Sequence, residues 1–376
     1  MDASQDGQFP HVVQPEDETT YSPYVHFLSA ASRENRGSER NALEAIDPPG
    51  FFIRHPPKPH ELDAELTDDA QLFQTIHMGV AVVDQNRWRL VVDGLVERPF
   101  SVSFAQLKRM PRATITAFHE CYGSPIAPPT QALWRIGNVT WTGVRLSDLL
   151  KLARPKPPAR YVWSQGLESG SFAGVSADRY EKDIPLEKAL APEVLVAYEM
   201  NGEGLDRKRG GPVRMVVPLY FGTNSTKWLC RLSVQDRRAT GPFTTTFYNE
   251  VDPSDPTGRR IRPVWTVEPN SMIVRPEPGA VLQGPEVEIS GRAWGGKEIE
   301  GVEISVDGGK SWLPRSDIDL RPRKECEWQL FRSKPKLPKP GKYQLVARAR
   351  DTAGLSQPLA GRRNHVHMVE VEVLWS

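Results

Sequence analysis

The stretch FHECYGSP, residues 118–125, contains the side chains of this sequence that are best suited to chemistry. Cys121 follows the β-rich run ATITAF (113–118) and precedes a glycine–proline turn. Alternate residues of an extended chain point to one face, so His119 and Cys121 can share a face and Glu120 should not. A Cys–His nucleophile pair and a metal ligand are both open interpretations. A buried, inert thiol is the simpler one, because free cysteine is among the most buried residues.

Cationic residues gather around two later turns. RKRGGPVRMVVP (207–218) surrounds a Gly-Gly-Pro turn with arginines and a lysine, and GTNSTKWLC (222–230) leads from small polar residues to a lysine. Cations beside exposed backbone N–H groups suit phosphate or another oxyanion. A solvated basic loop and an ordinary polar turn are the alternatives. Arg214 argues against the first, since it lies inside an apolar strand where a charge needs a partner.

Short elements must position these turns, because 34 prolines and 29 glycines disfavour long helices. RWRLVVDGLVERPFSVSF (87–104) predicts a hairpin, and SFAQLKRM (103–110) a short helix with a serine N-cap. WTGVRLSDLLKLAR (141–154) predicts a turn followed by an amphipathic helix that Ser147 could cap. Further strands are predicted over 159–165, 194–205, 211–220 and 226–234.

The pattern changes near residues 250–270, where a proline-rich, irregular stretch is typical of a linker. Beyond it, short alternating runs between Gly, Pro and Asp turns predict a β-sandwich of roughly 110 residues. We therefore predict an arm over 1–45, a first domain over 46–255 and a sandwich over 256–376. Cys230 is expected in the core, and Cys326 on a strand of the sandwich.

Composition is that of an ordinary globular protein, with 39% hydrophobic and 25% charged residues in 376. The net charge of +1 gives no overall attraction to nucleic acid or to an anionic membrane. Three cysteines without a paired spacing suggest a reducing compartment and no disulfide framework. There is neither a signal-peptide pattern nor an apolar run of about 20 residues. The sequence thus predicts a soluble intracellular protein, most simply a cytoplasmic one.

Several segments in their order along the chain resemble the sulfite oxidase family of molybdenum-cofactor oxidoreductases. They include RLVVDGLVERPFSVSFAQLKRMPR, WTGVRLSDLL, GGPVRMVVP and KWLCRLSV, followed by VEISVDGGKSW and ARARDTAGLSQP. The likeness covers roughly residues 50–376. It implies an α+β fold in which a molybdopterin-binding domain precedes an immunoglobulin-like dimerisation sandwich. It also implies a homodimer, a molybdenum–molybdopterin cofactor, and no haem in this chain.

The resemblance also implies roles for individual residues. Cys121 falls at the position of the family's thiolate ligand to molybdenum, and thiolate is a soft ligand that suits this metal. In the substrate pocket, Arg54 corresponds to an anion-binding arginine, Tyr248 to the active-site tyrosine and Trp134 to an aromatic wall. The implied cofactor contacts are His55, Glu168, Arg209, Arg214, Ser225, Thr226 and Lys227.

The implied reaction is oxidation of sulfite to sulfate by oxygen-atom transfer at molybdenum, with electrons passing to an external acceptor such as oxygen or a cytochrome. Two departures from the family bear on the substrate. Ile126 stands where the family has a pocket arginine, and Met368 stands where it has a second one. Fewer cations should weaken binding of a small dianion. A related molybdoenzyme acting on another sulfur or oxo substrate, such as a sulfoxide, and a non-catalytic dimeric scaffold are the alternatives.

Overall fold

The structure is a computed structural model that describes residues 11–12, 25–28, 44–46, 49–54, 56–124, 134–252 and 254–375. The chain forms two compact units. The first unit comprises Met1–Arg54, Gln74–Ile115 and Thr140–Trp265, and the second comprises His55–Phe73, Thr116–Val139 and Thr266–Ser376. Each unit therefore combines stretches that are distant in the sequence.

Short strands dominate the first unit, as its proline and glycine content predicts. They are β1 (His11–Val12), β2 (Val25–Leu28), β3 (Glu44–Ile46), β4 (Phe51–Arg54), β5 (Gln74–His77), β6 (Val80–Val83), β7 (Arg89–Gly94), β8 (Phe100–Ser103), β9 (Ala113–Glu120), β10 (Ile136–Arg145), β11 (Tyr161–Gly166), β12 (Gly170–Phe172), β13 (Val175–Ala177), β14 (Tyr180–Pro185), β15 (Leu195–Met200), β16 (Glu203–Gly204), β17 (Arg214–Val216), β18 (Leu229–Gln235), β19 (Asn249–Val251) and β20 (Ile261–Pro263). Of these, β9 and β10 have residues in both units.

Two sheets enclose the core of the first unit. One has the strand order β1-β8-β7-β18-β11-β14, and the other has the order β16-β15-β10-β9 with β17 paired to β15. Leu90, Val162 and Leu232 from the first sheet pack with Val144 and Val196 from the second in one apolar cluster. The cluster fixes both sheets, and through them the turns at their ends, by burial of apolar side chains.

Four short α-helices accompany the strands in the described residues, together with several 3₁₀ turns. They are α1 (Phe104–Arg109), α2 (Leu146–Ala153), α3 (Leu186–Ala189) and α4 (Pro242–Thr245), and the 3₁₀ turns are Pro59–Glu61, Arg207–Arg209, Gly222–Asn224 and Arg315–Asp317. None of the described helices combines the length and the apolar character that crossing a membrane requires.

The serine caps were predicted with mixed success. Ser103 caps α1 as expected, because its hydroxyl accepts a hydrogen bond from the backbone N–H of Gln106 at 3.2 Å. The prediction for Ser147 is wrong, since the N-cap position of α2 is Arg145. Strand β10 runs directly into the helix, and the backbone N–H of Leu146 is already satisfied by the carbonyl of Val194 at 2.9 Å. The first N–H of the helix is thus paired by a distant segment, and the residue at the N-cap position makes no side-chain cap bond.

The second unit contains the sandwich that the sequence predicts. Its strands are β21 (Asn270–Arg275), β22 (Val281–Gln283), β23 (Ile289–Trp294), β24 (Ile299–Ser305), β25 (Ile318–Leu320), β26 (Gln329–Ser333), β27 (Gly341–Asp351) and β28 (Met368–Leu374). They form two four-stranded sheets in the orders β21-β23-β26-β25 and β22-β28-β27-β24. Strand β28 alternates exposed and buried residues, which is the pattern of a sheet with one face in a core. The predicted α+β class with a terminal sandwich is confirmed.

The two cysteines outside the opening stretch are both buried. Cys230 lies in β18 in the core, as expected. The prediction for Cys326 is wrong, because this residue precedes β26 and bridges to Ala117 of β9. Its carbonyl accepts a hydrogen bond from the backbone N–H of Phe118 at 3.0 Å. Alternation in the sequence showed a buried extended segment but not which strand it would pair with.

Candidate functional site

In the second unit, Cys121 occupies the junction between a strand and a tight turn. Strand β9 ends at Glu120, and the backbone N–H of Cys121 donates to the carbonyl of Arg135 at 2.9 Å. The carbonyl of Cys121 then accepts from the backbone N–H of Ser124 at 3.1 Å, which closes the turn. The thiol is half-buried. The backbone therefore holds Cys121 at a defined place without using its sulfur.

Two arginines donate hydrogen bonds to the turn that follows Cys121. Arg135 donates through its Nη2 to the carbonyl of Gly123, and Arg363 donates through its Nη1 to the carbonyl of Ser124 at 2.9 Å. A Cβ atom at position 123 would lie 2.4 Å from Arg135 Nη2, so a side chain there would displace the end of that arginine. Arg363 also lies 5.3 Å from the ring of Tyr122. These contacts fix the turn from two sides.

A buried carboxylate directly before Cys121 holds one of these arginines. Glu120 is fully buried and accepts hydrogen bonds from Trp294 Nε1 at 2.8 Å and from Arg363 Nη1 at 3.2 Å. Arg363 pairs in addition with Glu268 at 3.2 Å. Burial raises the pKa of Glu120, while Arg363 and the Trp294 N–H act in the opposite direction. Arg363 is thus the cation that favours the ionised form of Glu120 inside the unit.

Replacing Arg363 should therefore cost much more stability than replacing its neighbour. Arg363→Met leaves Glu120 buried without its cation, and we expect the free energy of unfolding to fall by about 3–5 kcal/mol. Arg362 forms an exposed pair with Glu268, so Arg362→Met should cost less than about 1 kcal/mol. Chemical denaturation measures both. Equal losses in the two variants would contradict the account, as would failure of Glu120→Gln to recover part of the Arg363→Met loss.

The aromatic and histidine neighbours of Cys121 are placed within the same unit. The His119 ring stacks on Phe73, with ring centroids 5.7 Å apart and planes 12° from parallel. Trp134 is almost fully buried and meets Trp294 edge to face at 5.8 Å. The role of Trp134 as a pocket wall stays a prediction. What the structure adds is that Trp134 packs on the indole that binds Glu120.

The first unit gathers buried cations on its Gly-Gly-Pro turn. Arg209 and Arg214 are each 3% exposed. Arg214 donates to the carbonyls of Arg209 at 2.9 Å and Ser225 at 3.1 Å, and it lies 5.0 Å from the ring of Trp141. Its Nε has no hydrogen-bond partner among the described residues. Two carbonyl oxygens are thus the polar partners that the sequence predicts for Arg214. One nitrogen donor of its guanidinium group remains.

This pair of guanidinium groups fits an anionic ligand. Burial and the charge of Arg209 lower the pKa of Arg214 to about 9. Like charges in a site of low polarity repel each other. A bound phosphate would attract both charges and would accept a hydrogen bond from the remaining N–H of Arg214. The chemistry of the donors therefore matches the phosphate end of a molybdopterin.

Glycines shape the backbone beside these cations. Gly210 has φ +93°, and a Cβ atom there would lie 2.5 Å from Lys227 Cβ. A Cβ atom at Gly166 would lie 2.4 Å from the carbonyl oxygen of Lys227. The chain thus approaches Lys227 closely from two directions, and Lys227 Nζ donates to the carbonyl of Thr75. The segment that the sequence marked as an anion cradle is tightly enclosed.

The hydroxyls of Ser225 and Thr226 form hydrogen bonds that hold the backbone around Lys227. Ser225 Oγ accepts from the backbone N–H of Val217 at 3.0 Å. Thr226 Oγ1 lies 2.7 Å from Ser164 Oγ, and its carbonyl accepts from the backbone N–H of Met215 at 2.8 Å. Both side chains are buried. Their predicted contact with a cofactor stays a prediction, and the structure shows them bracing the strands around Lys227.

A carboxyl, an imidazole and a phenol form a row in the same unit. Glu168 Oε1 lies 4.0 Å from His77 Nδ1, and His77 Nε2 lies 2.5 Å from the hydroxyl of Tyr248. Sequence reasoning missed His77, because it assigned the histidine role to the Arg54–His55 pair. A histidine closing strand β5 just before Gly79 was the available signal.

Tyr248 is held in an unusual backbone conformation. Its φ is +58°, a left-handed value that aromatic residues rarely adopt. Its carbonyl accepts from the backbone N–H of Val264 at 3.0 Å, and the side chain of the next residue, Asn249, donates to the carbonyls of Thr244 and Phe247. These bonds on either side fix the strained residue, which is a common arrangement at functional sites.

Glu168 should make stability depend on pH. Burial raises the pKa of Glu168 to about 8, against the opposing effects of Lys227 and His77. A carboxyl whose pKa is raised on folding stabilises the fold below its unfolded value and loses that contribution as pH rises through the folded value. We expect the melting temperature of the wild type to fall relative to Glu168→Gln as pH rises from 5 to 8. Glu203→Gln, at an exposed glutamate, should show no such trend, and parallel curves for wild type and Glu168→Gln would contradict the prediction.

The positions of the other predicted residues say less about their roles. Arg54 ends β4, is buried, and stands opposite Gln74 in the strand register. Met368 opens β28 and is exposed. His55 and Ile126 lie outside the described residues. The roles of Arg54 and His55 stay predictions.

Comparison with known proteins finds two family matches along the chain. The oxidoreductase molybdopterin binding domain family matches residues 77–243, and the Mo-co oxidoreductase dimerisation domain family matches residues 262–372. Sulfite oxidase of Gallus gallus is 33% identical over 327 residues, which are 80% of this chain and 70% of that protein. The mitochondrial sulfite oxidase of Mus musculus is 31% identical over 333 residues, which are 82% of this chain and 60% of that protein, so this chain spans under two thirds of its length.

Among solved structures, the crystal structure of the sulfane dehydrogenase SoxCD from Paracoccus pantotrophus is similar to this chain with a TM-score of 0.71. The sequences are 25% identical, and the match covers 98% of this chain and 92% of that one. The similarity therefore includes both units and the stretches that carry the candidate site residues.

Proposed function

Because this chain belongs to the sulfite oxidase family of molybdopterin oxidoreductases, we propose that it oxidises sulfite to sulfate. The family assigns it a molybdenum–molybdopterin cofactor and an oxidoreductase activity. The single observation that carries the proposal is the buried cation pair Arg209 and Arg214, whose remaining donor suits an anionic cofactor. The choice of sulfite rests on the curated relatives, which are sulfite oxidases.

We assign the metal ligand to Cys121. Its backbone is fixed at a strand end by the bonds to Arg135 and Ser124, which do not involve the sulfur. A thiolate is a soft donor, which suits molybdenum that dithiolene sulfurs also hold. The turn around Gly123 keeps this donor in place when metal binds, so little ordering is required at that moment.

Most of the remaining cofactor contacts in this proposal are residues of the first unit. Arg209, Arg214 and Lys227 would bind the phosphate, since charge-assisted hydrogen bonds to phosphate are strong. Glu168 lies near the Lys227 charge and would accept from the N–H groups of the pterin. The other assigned contacts are His55, Ser225 and Thr226.

When bound, the cofactor supplies two-electron oxygen-atom transfer. The overall change consumes sulfite and water and releases sulfate, two protons and two electrons. Arg54 would orient the anionic substrate, Trp134 would line the pocket, and Tyr248 would hold a proton at its hydroxyl beside His77. His77 is therefore a candidate acceptor for a proton that Tyr248 releases.

The two electrons released by the reaction need an acceptor. We propose an external acceptor, either oxygen or a cytochrome. The match over residues 262–372 to a dimerisation domain supports a homodimer formed through the sandwich. Analytical ultracentrifugation of the purified protein measures the dimer directly.

The proposal has a direct test. The protein is purified from a host that makes the cofactor, molybdenum per chain is measured, and sulfite oxidation is followed with ferricyanide or cytochrome c as acceptor. We expect close to one molybdenum per chain and turnover that depends on sulfite. A loaded protein without sulfite turnover would contradict the substrate, and negligible loading would contradict the cofactor assignment.

A second substrate class has specific support. The SoxCD structure, whose match covers nearly the whole chain, is that of a sulfane dehydrogenase, and Met368 is an exposed apolar residue where the family has a pocket arginine. Both observations favour another reduced-sulfur substrate, or a sulfoxide, over a small dianion. Molybdenum-containing enzyme that does not oxidise sulfite but turns over such a compound would establish this alternative.

A further inference from the structure

A lysine is buried without solvent contact in the first unit. Lys182 lies in the middle of β14 and is completely buried. Its Nζ donates one hydrogen bond, to the carbonyl of Phe243 at 2.8 Å. Lysine is almost never fully buried unless it is paired, so this position needs an explanation.

The groups around Lys182 are mainly aromatic. Phe172, Tyr180 and Phe243 form a buried cluster, against which Tyr248 packs. The ammonium of Lys182 lies 5.5 Å from the centre of the Tyr248 ring. That distance is within the range of cation–π attraction, which strengthens where water is excluded. The hydroxyl end of the same ring meets His77 at 2.5 Å.

Among the residues that the structure describes, no carboxylate forms an ion pair with this ammonium. The neighbouring Asp183 directs its carboxylate to Arg238 and to the backbone N–H of Ala239. Successive residues on a strand face opposite sides of the sheet, which separates Asp183 from Lys182. The charged and titratable groups that act on Lys182 are thus Asp183, which favours its charge, Arg238, which opposes it, and Tyr248.

We propose that Lys182 is a positioning residue for Tyr248. Its ammonium holds the tyrosine ring in place by cation–π attraction, and its charge stabilises the negative charge that develops on the phenol oxygen as the proton passes to His77. The inference rests on the proposed function, because it takes Tyr248 as the residue that moves a proton during turnover. It adds a buried group that controls how well Tyr248 does so.

The charge on Lys182 should change within the working range of pH. Burial lowers the pKa of Lys182 to about 7, with Arg238 adding to the effect and Asp183 opposing it. Below about pH 7 the ammonium assists Tyr248, and above it the neutral amine does not. Cation–π attraction of about 0.5–2 kcal/mol corresponds to about a twofold to thirtyfold difference in rate.

Two variants separate this role from simple packing. For the wild-type holoenzyme we expect kcat to fall about twofold to thirtyfold between pH 6 and pH 8. Lys182→Arg keeps the charge and should stay at the high level across that range, while Lys182→Met should stay at the low level. KM should change little, since Lys182 is fully buried and acts through Tyr248 in this proposal. Three parallel pH profiles would overturn the proposal.

A second measurement does not depend on turnover. A lysine whose pKa is lowered on folding takes up a proton on unfolding between about pH 7 and its unfolded value, so the wild type gains stability as pH rises through that window. The melting temperature of the wild-type holoprotein should therefore rise relative to Lys182→Met between pH 7 and pH 9. A constant difference would overturn the proposal even if the protein folds and binds its cofactor normally.

The two measurements also distinguish this inference from the proposed function. If the melting temperatures follow the expected trend and the enzyme is inactive on sulfite, Lys182 titrates as described and the proposed substrate is wrong. If sulfite turnover is normal and all variants have the same pH profile, the proposed role of Lys182 is wrong. Lys182→Gln provides the same readings if Lys182→Met fails to fold.

Discussion

Cys121→Ser is expected to lose at least about a hundredfold in turnover while keeping its fold and dimer. Changes to groups that surround a metal centre already cost tenfold to a hundredfold, and this change removes the ligand. The backbone bonds of residue 121 to Arg135 and Ser124 do not involve the side chain, so the turn should persist. Turnover, molybdenum content and melting temperature, measured on the same preparation, report the three properties separately.

Cys230→Ser is the matched control for this experiment. Burial raises the pKa of Cys230 to about 12, so its sulfur is a protonated thiol at neutral pH and a poor metal ligand. Its Sγ lies 3.4 Å from the carbonyl of Gln165, to which a serine hydroxyl can also donate. The control should keep its turnover. Equal activity in Cys121→Ser and the wild type would refute the ligand assignment, and a wild type with no activity at all would favour the non-catalytic scaffold.

Arg214→Met should lower the cofactor content at least about tenfold. Truncating one member of a buried, hydrogen-bonded charge pair costs about 2–5 kcal/mol, and here the bound anion would lose its partner. Arg214→Lys keeps the charge but cannot reproduce the fork that reaches the carbonyls of Arg209 and Ser225, so its content should be intermediate. Molybdenum and pterin per chain are the quantities to measure.

Arg237→Gln is the control for a general loss of positive charge. The Arg237 side chain is 69% exposed in the same unit, and its replacement should leave the cofactor content unchanged. Circular dichroism and denaturation show whether Arg214→Met still folds. Full cofactor content in a folded Arg214→Met protein would exclude the arginine pair as the phosphate site.

Much of the fold follows from patterns that the sequence carries locally. The capped helix after Ser103 and the alternating strands of the sandwich were predictable because each depends on neighbours within a few residues. The cap of α2 and the pairing of Cys326 were not, because Val194 and β9 are supplied by distant parts of the chain. Hydrogen bonds between distant segments override local preference at both places.

The candidate site shows the same limit. Cys121 and Arg214 could be singled out, one by its place after a strand and the other by a charge inside an apolar run. The row from Glu168 through His77 to Tyr248 could not, since its members are separated by many residues and meet only after the first unit has folded. The sequence gives no signal for Lys182 either, because the charged run EKD is typical of a solvated surface stretch.

X-ray absorption at the molybdenum edge, compared between the wild-type holoenzyme and Cys121→Ser, tests the central assignment most directly. We expect one fewer sulfur neighbour of molybdenum in Cys121→Ser than in the wild type, and an unchanged number in Cys230→Ser. Identical sulfur coordination in the wild type and Cys121→Ser, in samples with equal molybdenum content, would show that Cys121 is not the metal ligand.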